Sequence, residues 1–322
     1  MKFKVSLFAF ALLFSIQSFS AEKTLIRLGV LAFGTVNWEL STLKSQRLIT
    51  DAGFDLDIYP VANPQAGKIA LQSGAVDMIV SDWIWVSRMR STGTDLSFYP
   101  YSNTSGALIV PADSPIKSLT DLQGKKLGIA GGELDKNWLL LQALVQQQSQ
   151  LNLNNHVEKV YGAPPLLNQQ ILRNRVDAII NYWHFAARLE AKGYKQLLNG
   201  KDILLGLGIK EQVPTLGYVF NRHWANQNKA VVNQFLKATQ TAKNQLCISD
   251  DAWQQIIPLT KAKDTVTQQK LRDRYCAGRI KQWGEEEQLA AEKIYTLLRK
   301  LSNNRLTGQS ELLQPGTFWT IN

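Results

Sequence analysis

Residues that commonly bind metals or act as catalytic nucleophiles are scarce in this sequence. Its 322 residues include only two cysteines and three histidines. The histidines, at positions 156, 184 and 223, are far apart, and the cysteines do not form a Cys-x-x-Cys motif. Because structural zinc sites usually take four closely spaced cysteine or histidine ligands, we expect no metal site.

Motifs of the common enzyme classes are also absent. The sequence contains no Gly-x-Ser-x-Gly, no His-Glu-x-x-His and no phosphate-binding glycine-rich loop. Gly131-Gly132 follows a predicted strand but lacks the other glycines of a dinucleotide site. We therefore predict no cofactor and no catalytic residue. The enzymatic alternative is a general acid–base pair formed by the carboxyl groups of Asp82 and Glu133.

Long apolar runs are missing beyond the N-terminus. There, two lysines precede an apolar stretch over residues 5–16, which is too short to span a bilayer comfortably. Ser18-Phe19-Ser20 then places small residues at both positions that a signal peptidase reads. We expect a cleaved signal peptide over residues 1–20, with cleavage before Ala21, and a soluble periplasmic protein. A retained anchor helix is the alternative.

Charge and composition indicate which kinds of molecule the protein binds. The formal net charge is +10, but the basic residues are scattered and form no dense tract, so we expect a solvated basic surface and no nucleic-acid partner. Hydrophobic residues make up 45% of the chain, which is ample for a folded core. We expect a monomer.

The two cysteines lie in one helix-prone region. In an oxidising compartment such a pair usually forms a bridge, so we predict a structural disulfide between Cys247 and Cys276. Buried free thiols are the alternative.

Short β-rich runs alternate with helical stretches, which is typical of an α/β fold with mainly parallel sheets. The first elements are a strand at 24–31, a helix at 37–51, a strand at 55–60, a helix at 66–72 and a strand at 76–80. The pattern then recurs at a spacing of about 100 residues. For example, Val76-Asp77-Met78-Ile79 is followed by Val176-Asp177-Ala178-Ile179, and Trp83 by Trp183.

This repetition predicts two lobes of the same build. We assign residues 21–110 and 210–322 to the first lobe and 111–209 to the second, with a hinge at the two crossings, the return crossing lying near residues 206–214. A helix is predicted over 230–246, and the helix-prone remainder is expected to cover the first lobe.

The same segments resemble the nitrate, taurine, alkanesulfonate and thiamine-precursor group of periplasmic solute-binding proteins. The resemblance rests on the signal peptide, Gly34–Trp38, Leu71–Asp77, Ser114–Gly128 and the helix over 230–246. It implies a type II periplasmic-binding-protein fold with two Rossmann-like lobes. It also implies a small-molecule ligand held in the cleft between them and delivered to an ABC permease in the inner membrane.

The carboxyl ends of parallel strands and the helix N-termini that follow them line the crevice of such a fold. Four loops meet this description: 34–38, 81–85, 131–138 and 181–185. From them we predict these ligand-binding residues: Asn37, Trp38, Ser81, Asp82, Trp83, Glu133, Asp135, Asn181, Tyr182 and Trp183. An alternative interpretation of Trp38 and Trp138 is that they are core residues.

Other residues near the cleft have structural interpretations. Asp77 and Asp177 occupy turn positions before strands and are predicted to be structural. Arg88 and Arg188 are expected to be solvated or to brace the lobes. The predicted loops offer carboxylates and indoles, which favours a cationic or neutral aromatic solute. A sensory protein that binds a solute and signals to a membrane partner is the second alternative, since its receptor would have the same sequence pattern.

Overall fold

The computed structural model describes residues 23–32 and 34–321. The predicted signal peptide lies outside these residues. A first five-stranded sheet has the strand order β2-β1-β3-β10-β4. Its strands are β1 (Thr24–Leu31), β2 (Phe54–Val61), β3 (Met78–Asp82), β4 (Leu96–Ser102) and β10 (Leu216–Asn221). β10 runs antiparallel to its neighbours β3 and β4.

A second sheet repeats this arrangement in the order β7-β6-β8-β5-β9. Its strands are β5 (Ala107–Val110), β6 (Lys126–Ala130), β7 (Glu158–Gly162), β8 (Ala178–Asn181) and β9 (Lys195–Asn199). β5 takes the place that β10 has in the first sheet, and it is again the one antiparallel strand. The predicted α/β architecture of two lobes with mainly parallel sheets is confirmed.

Helices connect the strands in both lobes. The first lobe contains α1 (Val36–Ser45), α2 (Leu48–Asp51), α3 (Pro64–Gln72) and α4 (Trp83–Arg90). The second contains a 3₁₀ turn (Thr120–Leu122), α5 (Lys136–Ser149), α6 (Leu153–His156), α7 (Pro164–Leu172), α8 (Trp183–Glu190) and α9 (Gly200–Gly206). The single helix predicted over 37–51 is divided, because Arg47 adopts a left-handed conformation with φ of 57°.

Equivalent aspartates fasten the strands of both sheets, as predicted for a structural role. The Asp77 carboxylate accepts a hydrogen bond from the Arg27 amide at 2.8 Å, and that of Asp177 accepts one from the Lys126 amide at 2.7 Å. In each case the aspartate amide also donates to the carbonyl of the same partner at 2.8 Å. The two-way pairing fixes the register at the start of β3 and β8.

The strand pairings change one predicted boundary. β5 pairs with β8 and β9, so it belongs to the second lobe. The predicted assignment of residues 21–110 had placed it in the first lobe. The first crossing is therefore 103–106, and the return crossing lies between α9 and β10. The Asn103 amide group donates to the Gln212 side chain at 3.2 Å and so joins the two crossings.

The C-terminal helices contact both lobes. They are α10 (Arg222–Gln227), α11 (Lys229–Ile248), α12 (Asp250–Thr260), α13 (Thr265–Ala277) and α14 (Glu285–Leu301). α13 packs against α8, and α14 against α5. The region packs against α1 of the first lobe, as expected, and it also packs against the second lobe. The predicted disulfide between Cys247 and Cys276 is present and joins α11 to α13.

No helix in the described ranges combines the length and apolar character needed to cross a bilayer. The longest, α11, is amphipathic: Phe235, Leu236 and Ala242 are buried, whereas Lys237 and Gln240 on the opposite side are exposed. This pattern is typical of a helix that covers a core on one face.

Candidate ligand-binding cleft

Loops from the two sheets meet between the lobes. Asp82 ends β3 of the first lobe, and its carboxylate lies 3.3 Å from the Nζ atom of Lys136 at the start of α5 in the second lobe. Trp38 of α1 and Trp183 of α8 contact each other edge to face, with ring centroids 6.1 Å apart. The four predicted loops thus meet in two pairs, each with one loop from each lobe.

Trp38 and Trp183 belong to a larger aromatic cluster. Trp253 of α12 lies 5.6 Å from Trp38 between ring centroids, and Tyr275 of α13 lies 5.4 Å from it. Trp38 is only 4% exposed, whereas Trp183 is half-buried. Trp183 is therefore the indole of this cluster with surface left for a ligand. The contributions of Trp253 and Tyr275 were missed from the sequence.

Trp83 lies in the core. It is 1% exposed, and its indole N–H donates to the carbonyl of Pro214 in the return crossing at 2.9 Å. Its ring packs against Phe318, with centroids 6.1 Å apart. The backbone of Asp82 is extended, and α4 begins directly at Trp83, so the side chain turns towards the C-terminal segment. Both the face and the N–H group of this indole are thereby occupied.

Asp82 combines a capping role with an ionic one. Its carboxylate accepts a hydrogen bond from the Trp85 amide at 2.9 Å and so caps α4. Burial acts to raise the pKa of Asp82. The nearby Lys136 and Lys68 ammonium groups and the Trp85 amide have the opposite effect, and together they lower the pKa. The negative charge of Asp82 is thus already balanced by lysine side chains of the protein.

Lys68 is a cleft residue that the sequence did not reveal. It lies on α3, and its ammonium group sits 4.8 Å from the centre of the Trp85 ring. Burial lowers its pKa, and Asp82 partly opposes this shift. Two ammonium groups therefore neighbour the single Asp82 carboxylate.

Several predicted residues hold the cleft loops in place. The Asn37 side chain donates to the carbonyls of Leu31 and Gly34, each at 2.9 Å. The Asn181 side chain donates to the carbonyl of Pro164 at 3.0 Å and accepts from the Tyr182 amide at 2.8 Å. Ser81 is buried near the end of β3. These groups fix the shape of the cleft.

Asp135 and Tyr182 lie together beneath a glycine turn. Asp135 caps α5 by accepting a hydrogen bond from the Trp138 amide at 3.1 Å, and burial raises the pKa of its carboxyl group. A Cβ atom placed on Gly131 would lie 3.2 Å from the Asp135 carboxylate and 3.3 Å from the Tyr182 hydroxyl. With φ of +83°, Gly131 lets the backbone approach both groups closely.

Glu133 lies at the rim of the cleft and forms an ion pair with Arg305, which follows α14. Its side chain is 59% exposed, and the Arg305 guanidinium group lowers its pKa. Glu133 and Asp82, the two carboxylates of the enzymatic alternative, thus have separate cationic partners.

The two repeated arginines brace the structure, as expected. Arg188 donates to the Thr260 carbonyl at 2.5 Å, which joins α8 to α12. Arg88 donates to the Arg305 carbonyl at 3.1 Å. Across residues 23–32 and 34–321, no group of three histidine, cysteine, aspartate or glutamate side chains could hold a metal ion.

Comparisons with known proteins show which family and which fold this chain shares. A model of the family described as NMT1/THI5 like matches residues 49–248. No significant match is found among curated proteins. The periplasmic aliphatic sulphonate binding protein SsuA from Escherichia coli superposes with a TM-score of 0.74 and 19% identity, covering 94% of this chain and 94% of that chain.

Two further solved structures share the fold. The alkanesulfonate-binding protein SsuA from Xanthomonas axonopodis pv. citri, bound to MOPS, gives a TM-score of 0.68 at 17% identity and covers 93% of this chain and 99% of that chain. The periplasmic nitrate-binding protein NrtA from Synechocystis PCC 6803 gives 0.54 at 14% identity, covering 79% and 70%. The predicted periplasmic-binding-protein fold is confirmed.

Proposed function

Because this chain belongs to the NMT1/THI5-like family, we propose that it is the periplasmic substrate-binding component of an ABC importer. In this proposal it captures a small organic solute in the cleft between its lobes and presents it to a permease. The observation that carries the proposal is the meeting of Trp38 with Trp183 and of Asp82 with Lys136, one residue of each pair coming from each lobe.

Ligand capture follows from the two crossings. A solute that touches both lobes binds the closed form more tightly than the open form, and this difference in affinity drives closure. The segments 103–106 and 207–215 are the connections that absorb the rotation. The closed form is then the state that a permease recognises.

We assign the solute to the loops around Trp183. Its half-buried indole offers a flat apolar face, and the Tyr182 hydroxyl and the half-buried Asp135 carboxyl lie at the neighbouring turn. Asn37, Asn181, Ser81 and Trp38 shape the walls. Trp83 and Glu133 are left out of the proposed contact surface because the core and Arg305 occupy them.

The ion pair changes the expected charge of the solute. Asp82 already has Lys136 as a partner and Lys68 as a neighbour, so an amine would find no unmatched carboxylate there. A neutral organic solute, or one with an acidic group that replaces Asp82 at Lys136, fits this end of the cleft better. We therefore propose a neutral or anionic organic ligand instead of a cationic one.

A thermal-shift panel of sulfonates, inorganic anions, neutral heterocycles and amines tests the proposal, because a bound ligand stabilises the folded state by mass action. We expect marked stabilisation by one sulfonate or one neutral heterocycle, stoichiometric binding by calorimetry, and no product on prolonged incubation. Stabilisation by amines alone would overturn the assigned charge, and turnover would overturn the binding role.

A further inference from the structure

α13 belongs to neither sheet, yet it is attached to both lobes. On the side of the first lobe, the disulfide joins its Cys276 to Cys247 of α11. The Tyr275 hydroxyl also donates to the Glu39 carboxylate of α1 at 2.5 Å, and both side chains are buried. A covalent bond and a buried hydrogen bond thus fix this helix to the first lobe.

On its other side, α13 packs along α8 of the second lobe. Leu271 of α13 and Ala187 of α8 are buried in the same apolar cluster as Trp38. At the end of α8, the Arg274 guanidinium group donates two hydrogen bonds to the Glu190 carboxylate, one of them from Nε to Oε2 at 2.9 Å. The Glu190 side chain is 7% exposed and that of Arg274 is 36% exposed. Two-bond arginine–carboxylate pairs of this kind are among the strong polar contacts of proteins.

The same helix ends at the hinge. The Asn103 amide of the first crossing donates to the Gly278 carbonyl at 2.9 Å. A Cβ atom placed on Gly278 would lie 2.3 Å from the Thr104 side chain, so the crossing and the end of α13 are in close contact. The C-terminal end of α13 therefore stays at the hinge when the lobes turn.

A helix attached to both lobes cannot follow both when the cleft opens. The disulfide cannot lengthen, and Tyr275 is buried against the first lobe, so the contact with α8 is the one that separates. We propose that α13 is a strap across the two lobes and that the Arg274–Glu190 pair is the latch that holds them together. This inference rests on the proposed closure of the cleft, and it makes Arg274 and Glu190 positioning residues for that closure.

The burial of Glu190 makes the two partners unequal. In Arg274→Gln, the closed form keeps a nearly buried carboxylate without its cation, and opening exposes that carboxylate to water. In Glu190→Gln, the unpaired Arg274 is the more exposed partner and can be hydrated where it lies. Arg274→Gln should therefore open the lobes more than Glu190→Gln. The double variant Glu190→Gln/Arg274→Gln, which has no unpaired buried charge, should be less open than Arg274→Gln.

Small-angle X-ray scattering of the secreted chain, without any solute, tests this proposal. We expect a larger radius of gyration for Arg274→Gln than for the wild type, with intermediate values for Glu190→Gln and for the double variant. Arg272→Gln is the matched control on the same helix. The Arg272 guanidinium group binds the Leu246 carbonyl of α11 and the Asp250 carboxylate of α12, so its loss should leave the radius unchanged. Circular dichroism checks that each variant is folded.

Two results would overturn the proposal. One is a wild-type radius of gyration for folded Arg274→Gln, and the other is an equal expansion of Arg272→Gln. If Arg274→Gln does not fold, the comparison of Glu190→Gln with Arg272→Gln decides in the same way. Because no solute is added, a thermal panel without a stabilising compound would count against the proposed function and leave this comparison readable.

Discussion

The indole rings of Trp38 and Trp183, which come from opposite lobes, meet edge to face with centroids 6.1 Å apart. Edge-to-face aromatic pairs contribute about 0.5–1.5 kcal/mol beyond the area they bury. The contact therefore favours the arrangement in which the lobes are close. It also places the half-buried Trp183 where a solute between the lobes would touch it.

Replacing Trp183 tests the proposed ligand contact. We expect Trp183→Ala to weaken solute binding tenfold or more, a loss of about 1.4 kcal/mol, because the indole face and its contact with Trp38 are both removed. Titration calorimetry with the solute found in the thermal panel measures this change. Tyr59→Ala, which removes an aromatic ring that is 49% exposed on β2, is the control. Equal affinities for the wild type and Trp183→Ala would contradict the placement.

Breaking the ion pair between the lobes should cost stability. In Lys136→Met, the largely buried Asp82 carboxylate keeps only Lys68 as a cationic neighbour, and we expect the free energy of unfolding to fall by about 1–2 kcal/mol. Lys126→Met is a matched control, because its pair with Glu158 is exposed on both sides and should contribute about 0–1 kcal/mol. Urea denaturation measures both. Equal losses in the two variants would show that the Asp82 pair acts as an ordinary surface pair.

His184 should make the protein less stable in mild acid. Burial, with a smaller contribution from Arg188, lowers the pKa of His184 from 6.5 to about 3. Between these values the unfolded chain binds a proton that the folded chain does not, so stability falls as the pH falls, by at most about 1.4 kcal/mol per pH unit. We expect His184→Leu to lose less stability than the wild type between pH 7 and pH 4.5. Parallel pH profiles would contradict this role.

Removing the disulfide should destabilise the C-terminal helices. The bridge joins Cys247 and Cys276 across a separation of 29 residues, and loop-closure entropy for that length corresponds to about 3–4 kcal/mol. We expect the Cys247→Ser/Cys276→Ser variant to lose this amount of unfolding free energy in guanidinium titrations. The wild type under strong reductant should lose a similar amount. A loss below about 1 kcal/mol would show that the unfolded chain is already constrained between residues 247 and 276 without the bridge.

The predicted export signal can be tested directly. We expect the chain recovered from the periplasm to begin at Ala21, as determined by N-terminal sequencing and intact mass. Replacing Ser18 and Ser20 by Phe should block cleavage, because the peptidase reads small residues at these positions. A periplasmic chain that retains residues 1–20 would favour the anchor alternative.

Features that depend on local pattern were predictable from the sequence. The repeat around Asp77 and Asp177 indicated two similar lobes. An aspartate in the turn before a strand can bind the backbone of the neighbouring parallel strand, so the same residue recurs where the same local structure recurs. The two cysteines indicated a bridge because both lie in one helix-prone region. Predicting these features requires only a few consecutive residues and the expectation that the compartment is oxidising.

Features that depend on tertiary packing were not predictable in the same way. Whether strand 107–110 belongs to the first or second lobe depends on its pairing with β8 and β9, which its own residues do not encode. Trp253 and Tyr275 reach the cleft region from helices far away in the sequence, and Lys68 reaches it from α3, outside the four predicted loops. Trp83 and Trp183 occupy equivalent positions in the repeat, yet only Trp83 meets Pro214 and Phe318 and is enclosed.

A crystal structure of the chain with the solute identified by the thermal panel tests the central claim most directly. The account predicts ligand density between the two lobes, in contact with Trp183 and within reach of Lys136 or Tyr182. Density for that solute confined to one lobe, or on the outer surface, would contradict it.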